Sequence, residues 1–328
     1  MTRNQGDRMF GVLPIHKPAG ITSRDAVNHI QRILRPRRIK LGHTGTLDPL
    51  ATGVLLIVVG PATRLVEFAH EMEKAYRGRF RLDAHSPTLD SDSPWSPIDP
   101  PVVPDQEAWR NAAARFLGRI RQVPPAYSAV QTGGRRAYEL ARRGQTVDLP
   151  SRQVVIHALE TIAFEYPHVT IDVTCSTGTY LRSLGDDIAR SLGSRAIMEE
   201  LTRTRIGPID LDQCVALDLL SEPDDIHQHL LPPSVLIPHI PQVSIDADAA
   251  RRIRQGQTVP DLALPAASAT AGAQPAPPPR VAAFDSRGQL VAILRSDAAG
   301  GYRPERVFPT TAAAIQPSTT KTPHSPES

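Results

Sequence analysis

The chain has 328 residues, of which 40% are hydrophobic and 22% charged, with a formal net charge of +3, enough for one large domain, one small one and a substantial core. Its 32 prolines, roughly twice the usual share, gather in linkers and the tail, and its two cysteines exclude a disulfide framework or zinc site. The longest aliphatic run, Val54 to Val59, is far too short to span a membrane, and the polar N-terminus lacks the apolar core of a signal peptide, so a cytoplasmic protein is expected.

Residues 1–9 read as a disordered leader. Gly11 to Ile15 is a short strand candidate in which Pro14 favours an edge or a bulge. Thr22 or Ser23 caps a helix with Ala26, Val27, Ile30, Ile33 and Leu34 on one face, and Pro36 ends it. Arg24, Arg32, Arg35, Arg37, Arg38 and Lys40 make the rest of that helix and its exit basic, opposed only by Asp25. The next stretch, Gly42 to Gly53, places one carboxylate, Asp48, on a rigid loop. Gly45 and Gly53 permit backbone dihedrals that other residues resist, and Pro49 keeps Asp48 out of the helical region. Val54 to Val59 reads as a buried strand, so Asp48 lies on a loop anchored by the core, where catalytic residues often sit. An Asx-turn or cap aspartate is the alternative.

Thr63 caps a short helix with Leu65, Val66, Phe68 and Ala69 inward. From Ala75 to Leu82 the chain alternates, with Tyr76, Phe80 and Leu82 on an apolar face and Arg77, Arg79 and Arg81 on a basic one. Residues 83–105 read as a long loop, and Trp109, Ala112, Ala113, Phe116 and Leu117 mark an amphipathic helix. Gln122 to Gly134 carries a Pro-Pro turn and a Gly-Gly pair, followed by a short Arg-rich helix. Gln153 to Tyr166 and Val169 to Cys175 are strands, and Thr179 to Leu192 is a helix closed by Gly193. Leu201 to Ile209 alternates again, with Arg203 and Arg205 on one side. Past about Pro241, residues 243–261 and 280–309 read as a small β-rich module. It is split by an Ala/Pro tract, 262–279, too low in complexity to pack, and residues 310–328 read as a disordered tail.

Two further arginine clusters, Arg135, Arg136, Arg142 and Arg143, then Arg195, Arg203 and Arg205, contrast with stretches 83–109 and 207–250 that hold no Lys or Arg. Such polarity suggests a polyanionic partner; ordinary solvated charge is the alternative. Arg182 falls in the first turn of its helix, where the backbone dipole disfavours a cation, so it is a candidate to meet an anion. Were it to reach Asp48, it would hold that carboxylate ionised and oriented, and Tyr76 could close the same pocket. An exposed arginine and a plain core tyrosine are the alternatives. There is no phosphate-cradling or dinucleotide fingerprint, no histidine ligand spacing and no nucleophile elbow.

Gly42-His43-Thr44-Gly45-Thr46-Leu47-Asp48-Pro49 with Ala51-Thr52-Gly53-Val54-Leu55 closely resembles the catalytic motif of the TruB family, the bacterial tRNA pseudouridine-55 synthases. So do Lys17 to Ser23, Lys74 to Arg77, Gln122 to Ala129, Cys175 to Arg182 and Leu201 to Pro208, in order along the chain. The match spans roughly residues 10–240. A weaker one, at Arg280 to Asp285, Gly288 to Ile293 and Tyr302 to Phe308, resembles the small PUA RNA-binding domain. The resemblance implies a mixed α/β (α+β) fold, with a largely antiparallel sheet and flanking helices over 10–240, and a PUA-like module over 241–309.

It further implies that Asp48 is the essential carboxylate, that Tyr76 stacks on the target base and assists proton transfer, and that Arg182 pairs with Asp48. Leu201 would wall the pocket, and His43 would fill the space vacated in the T-loop when the target uridine flips out. Lys17, Arg37, Arg38 and Arg203 are assigned to the substrate-binding surface. The expected partner is the tRNA T-stem-loop, engaged by a monomer needing no cofactor and no obligatory protein partner. A non-catalytic tRNA-folding chaperone and a guide-RNA-dependent synthase are the rivals. Three departures from the family stand out: the diverged loop Asp83 to Asp90, Gln131 where a lysine is typical, and the Ala/Pro insert.

Overall fold

The computed structural model describes residues 9–99, 101–128, 130–132, 134–137, 140, 143–145, 148–260, 262, 278–298 and 300–310. The leader through residue 8, most of the Ala/Pro tract, the tail from 311, Arg142 and much of the expected Arg-rich helix lie outside them.

Among the described residues ten strands form one sheet: β1 (Gly11–Lys17), β2 (Leu41–His43), β3 (Thr52–Val59), β4 (Lys74–Arg81), β5 (Gly118–Gln122), β6 (Arg152–Glu165), β7 (His168–Cys175), β8 (Ile197–Ile206), β9 (Ile209–Asp210) and β10 (Val215–Ala216). Their order is β10-β1-β3-β8-β4-β7-β6-β5, with β2 beside β3 and β9 beside β8. Pairing is antiparallel except between β1 and β10 and between β3 and β8. The mixed fold built on a largely antiparallel sheet is therefore observed.

The β3 run is aliphatic at every position because both its faces are covered. Leu55, Ile57 and Val59 pack with Ala26, Val27 and Ile30 of helix α1 (Ser23–Ile33) and with its C-cap Leu34, while Val54, Leu56 and Val58 pack with Leu65 and Phe68. Each such side chain, fully withdrawn from water, stabilises the fold by about 1.5–3 kcal/mol. Thr22 is the N-cap of α1 and forms a capping box with Asp25. Helix α2 (Gln106–Ala114), capped by Asp105, buries Trp109, Ala112 and Ala113, as the periodicity predicts, but it ends before Phe116 and Leu117, and Leu117 is exposed.

Helix α3 (Leu181–Ser191) starts two residues later than expected, after Tyr180, and lies directly on β4. Gly185 allows that approach: a Cβ there would stand 2.3 Å from the ring of Phe80, which is itself wholly buried. The close contact fixes the height of α3 over the sheet, and with it the start of the helix that carries Arg182.

Several local expectations meet a different structure. Gly118 to Gln122, polar and short, forms the edge strand β5 because β6 supplies its hydrogen-bonding partner. Thr63 does not cap a helix; it lies within a 3-10 stretch, Gly60–Leu65, and its hydroxyl donates back to the Gly60 carbonyl at 2.9 Å. The arginine face of β4 is neutralised across strands, Arg77 pairing with Asp172, Arg79 with Glu199 and Glu200, and Arg81 with Asp83. Cys175 is buried as expected, but Cys214 is only half-buried.

The C-terminal module is a four-stranded sheet in the order β11 (Gln242–Ser244), β12 (Arg280–Phe284), β13 (Leu290–Ser296), β14 (Tyr302–Val307). It also holds a helix, α4 (Ala247–Arg254), which its composition does not announce. One apolar cluster runs from the large sheet into the module, joining Phe10, Val12 and Val54 to Ala282, Ile293 and Phe308, with Phe10 and Phe308 stacked at 5.4 Å. No helix among the described residues is long and apolar enough to cross a membrane.

Candidate active site

β3 and β8 meet at two registered positions, Thr52 with Thr202 and Gly53 with Arg203. Their approach is so close that a Cβ on Gly53, whose φ is +106°, would fall 2.2 Å from the Arg203 carbonyl oxygen. Gly53 is thus obligatory on both counts. Gly45, by contrast, does not adopt a positive φ, so its expected conformational role is not the reason for it.

The loop from Thr44 to Ala51 leads into that junction and is tied down by buried donors. Arg203 donates from Nε to the Val54 carbonyl at 2.7 Å and from Nη2 to that of Gly45 at 3.2 Å. Lys17 Nζ donates to the carbonyls of Pro18 and Ile21 at 2.8 and 2.7 Å, and to that of Pro49 at 3.4 Å. Ser23 grips Leu47 at both its N–H and its carbonyl, at 2.8 and 3.2 Å. The backbone is therefore fixed while the Asp48 side chain remains 37% exposed.

Arg182 approaches from the first turn of α3. Its Nε lies 3.1 Å from Asp48 Oδ2, with only 5% of the side chain exposed. The remaining donors are also engaged: Nη1 with the Thr88 carbonyl at 2.6 Å and Asp90 Oδ2 at 3.2 Å, and Nη2 with the Tyr127 carbonyl at 3.0 Å. A guanidinium offers this fixed fork of donors, which one ammonium cannot reproduce. Asp90 is nearly buried, and burial raises its pKa, against which the Thr88 hydroxyl and Arg182 pull downward.

Tyr76 and Leu201 share the apolar cluster beneath this pair, with Leu47 and Ala51 of the loop. Burial raises the Tyr76 phenol above its ordinary value, opposed by the Arg203 guanidinium and its hydrogen bond, so the hydroxyl keeps its proton at neutral pH. His43 is half-buried at the end of β2, and burial, then Arg24 and Arg203, lower its pKa and favour the neutral ring.

Asp48, Arg182, Tyr76 and Leu201 are thus brought to one place. Lys17 and Arg203 are close by, but they are 0% and 1% exposed and turn their charge onto backbone carbonyls instead of solvent. With Lys74, 4% exposed and bonded to the Met72 carbonyl and the Thr177 hydroxyl, they form a buried cationic floor. Desolvation brings Lys17 and Lys74 down to about 8 each. Arg37 and Arg38 sit elsewhere, beside the Val59 end of β3, since Leu41 registers with Val59 and Lys40 accepts from Gly60 N–H. By strand rise that end is roughly 20–25 Å from Gly53. The Arg195-Arg203-Arg205 cluster is not one surface: Arg195 pairs with Asp186, Arg203 is interior, and a bulge turns Arg205 toward Gly207 and Asp210.

Residues 31–181 match the family model described as "TruB family pseudouridylate synthase (N terminal domain)". A relative from Burkholderia lata, "tRNA pseudouridine synthase B", is 40% identical over 305 residues, covering 92% of this chain and 91% of its own. The chain belongs to the TruB family of pseudouridine synthases. A second relative with the same description, from Ralstonia nicotianae, is 38% identical over 91% of this chain and 94% of its own. Among solved structures, a chain of a Cbf5-Nop10-Gar1 complex superposes with a TM-score of 0.68 at 25% identity, covering 91% of this chain and 84% of that one. Another, of an H/ACA RNP bound to a substrate RNA containing 2′-deoxyuridine, shares the fold with a TM-score of 0.67 at 24% identity over 92% and 86%.

Within this TruB-family site, two residues escaped the sequence reading. Asp90 closes the diverged loop Asp83 to Asp90, where no motif singled it out. Lys74 stands two residues before Tyr76 on the same strand face, so the alternation itself placed it inward.

Proposed function

We propose that this pseudouridine synthase acts on tRNA, at the uridine of the T-loop known as position 55, with Asp48 as the essential carboxylate. The observation that carries the reading is a solvent-reaching carboxylate on an immobilised loop, paired at 3.1 Å with a buried arginine whose every nitrogen has a partner. A group so held arrives at the reacting carbon already oriented, which removes an entropic share of the barrier.

The reaction breaks the N1–C1′ glycosidic bond, turns the uracil, and joins C5 to C1′; the proton leaving C5 is matched by one gained at N1. Nothing is added or lost overall. The work asked of the protein is an ionised carboxylate to act at the sugar or base, a dry wall against escape of the uracil, and a proton carrier. Asp48 supplies the first, Leu201 and the flat face of Tyr76 the second, and the protonated Tyr76 hydroxyl the third. A base inside a folded loop must be flipped out at a cost of a few kcal/mol. Stacking on Tyr76 and occupation of the vacated space by His43 offset that cost. Lys17 and Arg203 serve the reaction by holding the Asp48 loop, whereas Arg37 and Arg38 meet phosphates of a tRNA arm long enough to reach the far end of the sheet. A tRNA substrate places the enzyme in the cytoplasm.

The test is to incubate purified protein with unmodified tRNA transcript and map pseudouridine, with Asp48→Asn in parallel. Product at the T-loop uridine from wild type alone is expected, with RNA binding retained by the variant. Modification elsewhere, dependence on a guide RNA, or an active Asp48→Asn refutes the assignment.

A further inference from the structure

The Asp48–Arg182 contact joins two backbone segments far apart in sequence, so its length depends on how each segment is placed. Neither segment is anchored by regular secondary structure on the N-terminal side of the decisive residue. Asp48 is in a loop, and α3 begins at Leu181 after an N-cap, Tyr180, whose side chain caps nothing. Beside the Arg203 and Lys17 bonds to the loop and the Gly185 contact of α3, each is gripped next to the decisive residue by one buried side chain acting as a substitute backbone.

On the arginine side it is Gln122, the last residue of β5 and 1% exposed. Its Nε2 donates to the Tyr180 carbonyl at 3.0 Å, and its Oε1 accepts from the Tyr180 N–H at 2.8 Å. A flipped amide would set donor against donor and acceptor against acceptor, so the network fixes its orientation. Two antiparallel bonds to one residue restrain both its position and its twist, two residues before Arg182. On the aspartate side, Ser23, the first residue of α1 and also 1% exposed, grips Leu47 in the same two-point way, one residue before Asp48. Neither side chain has a bond to Asp48 or Arg182.

From this geometry we infer that Gln122 and Ser23 are positioning residues for the reaction, two clasps that set the separation of Asp48 and Arg182 from outside the pocket. The inference rests on the role of Asp48 proposed above. A misplacement of 1 Å at a reacting group costs about 100-fold in rate, so clasps of this kind act on turnover and not on tRNA binding.

The experiment combines single-turnover pseudouridine formation, tRNA Kd and crystal structures for wild type, Gln122→Met and Ser23→Ala. Expected are rates about 10- to 100-fold below wild type, Kd within about twofold, and an Nε–Oδ2 separation longer than the wild-type 3.1 Å. Ser23→Thr, which restores the hydroxyl, recovers most of the rate. Gln122→Asn, which keeps both amide groups but draws them back by one methylene, falls between Gln122→Met and wild type and serves if Gln122→Met does not fold. Wild-type rates in these variants, or an unaltered Asp48–Arg182 separation, overturn the inference. Wild type unable to make pseudouridine refutes the proposed function instead, and the crystallographic separation still decides whether the clasps set the pair.

Discussion

Replacing Asp90 with asparagine probes the Arg182 network at the point where it is most enclosed. The Asp90 side chain is 10% exposed, and its two oxygens are divided between Arg182 Nη1 at 3.2 Å and the Thr88 hydroxyl at 2.6 Å. Asparagine preserves the shape and can still accept from Thr88, but its amide NH2 then faces Nη1, donor against donor. The loss is one charge-assisted hydrogen bond, worth about 1.5–3 kcal/mol. Arg182 keeps Thr88, Tyr127 and Asp48 as partners, so the protein should fold. Burial already disfavours the Asp90 charge, which offsets part of the loss in stability. Expressed at the transition state through the Asp48–Arg182 contact, the same energy slows the chemical step by about 10- to 150-fold. The assay is single-turnover tritium release from tRNA labelled at uridine C5, with Kd measured separately by filter binding. A rate within twofold of wild type, or a loss appearing wholly in Kd, would show that the Arg182 network does not support Asp48.

Three other outcomes are expected. Gly53→Ala, whose Cβ would meet backbone atoms of Arg203 at 2.2, 2.7 and 2.9 Å, should destabilise by about 4 kcal/mol and lower Tm by roughly 10 °C; an unchanged melting curve contradicts the close strand contact. Lys17 and Lys74 have folded-state values of about 8 against an ordinary 10.5, so their contribution to stability is complete above 10.5 and lost as pH falls through 8. Urea stability should therefore rise by about 1 kcal/mol per lysine between pH 8 and 9, and Lys74→Met should remove about half that rise; an identical pH slope in the variant refutes it. Burial of Cys175 and Cys214, pushed up to about 11 and 12, acts in the opposite sense, mainly above pH 9. Arg37→Glu with Arg38→Glu should weaken tRNA affinity and reduce the slope of log K against log salt by about 1–2, leaving the rate at saturating tRNA unchanged; a lower saturated rate places these residues nearer the chemistry than the strand register does.

What the amino-acid order determined by itself was local: which segments pair with water and which turn from it. The aliphatic run of β3, the alternation of β4, the Thr22 cap and the glycine-bounded Asp48 loop are all written in side-chain periodicity and backbone restriction, which act over a few residues. The family motif nominated the candidate site for the same reason, being contiguous around Asp48. Partnership was decided only by the tertiary structure. That Arg182 meets Asp48 and Asp90, that Arg77 and Arg79 of β4 are neutralised from β7 and β8, and that Lys17 and Arg203 turn inward to carbonyls depends on segments brought together across the sheet. Charge in a sequence specifies a need for compensation, and the fold chooses between water, a carboxylate, a carbonyl and a phosphate to meet it.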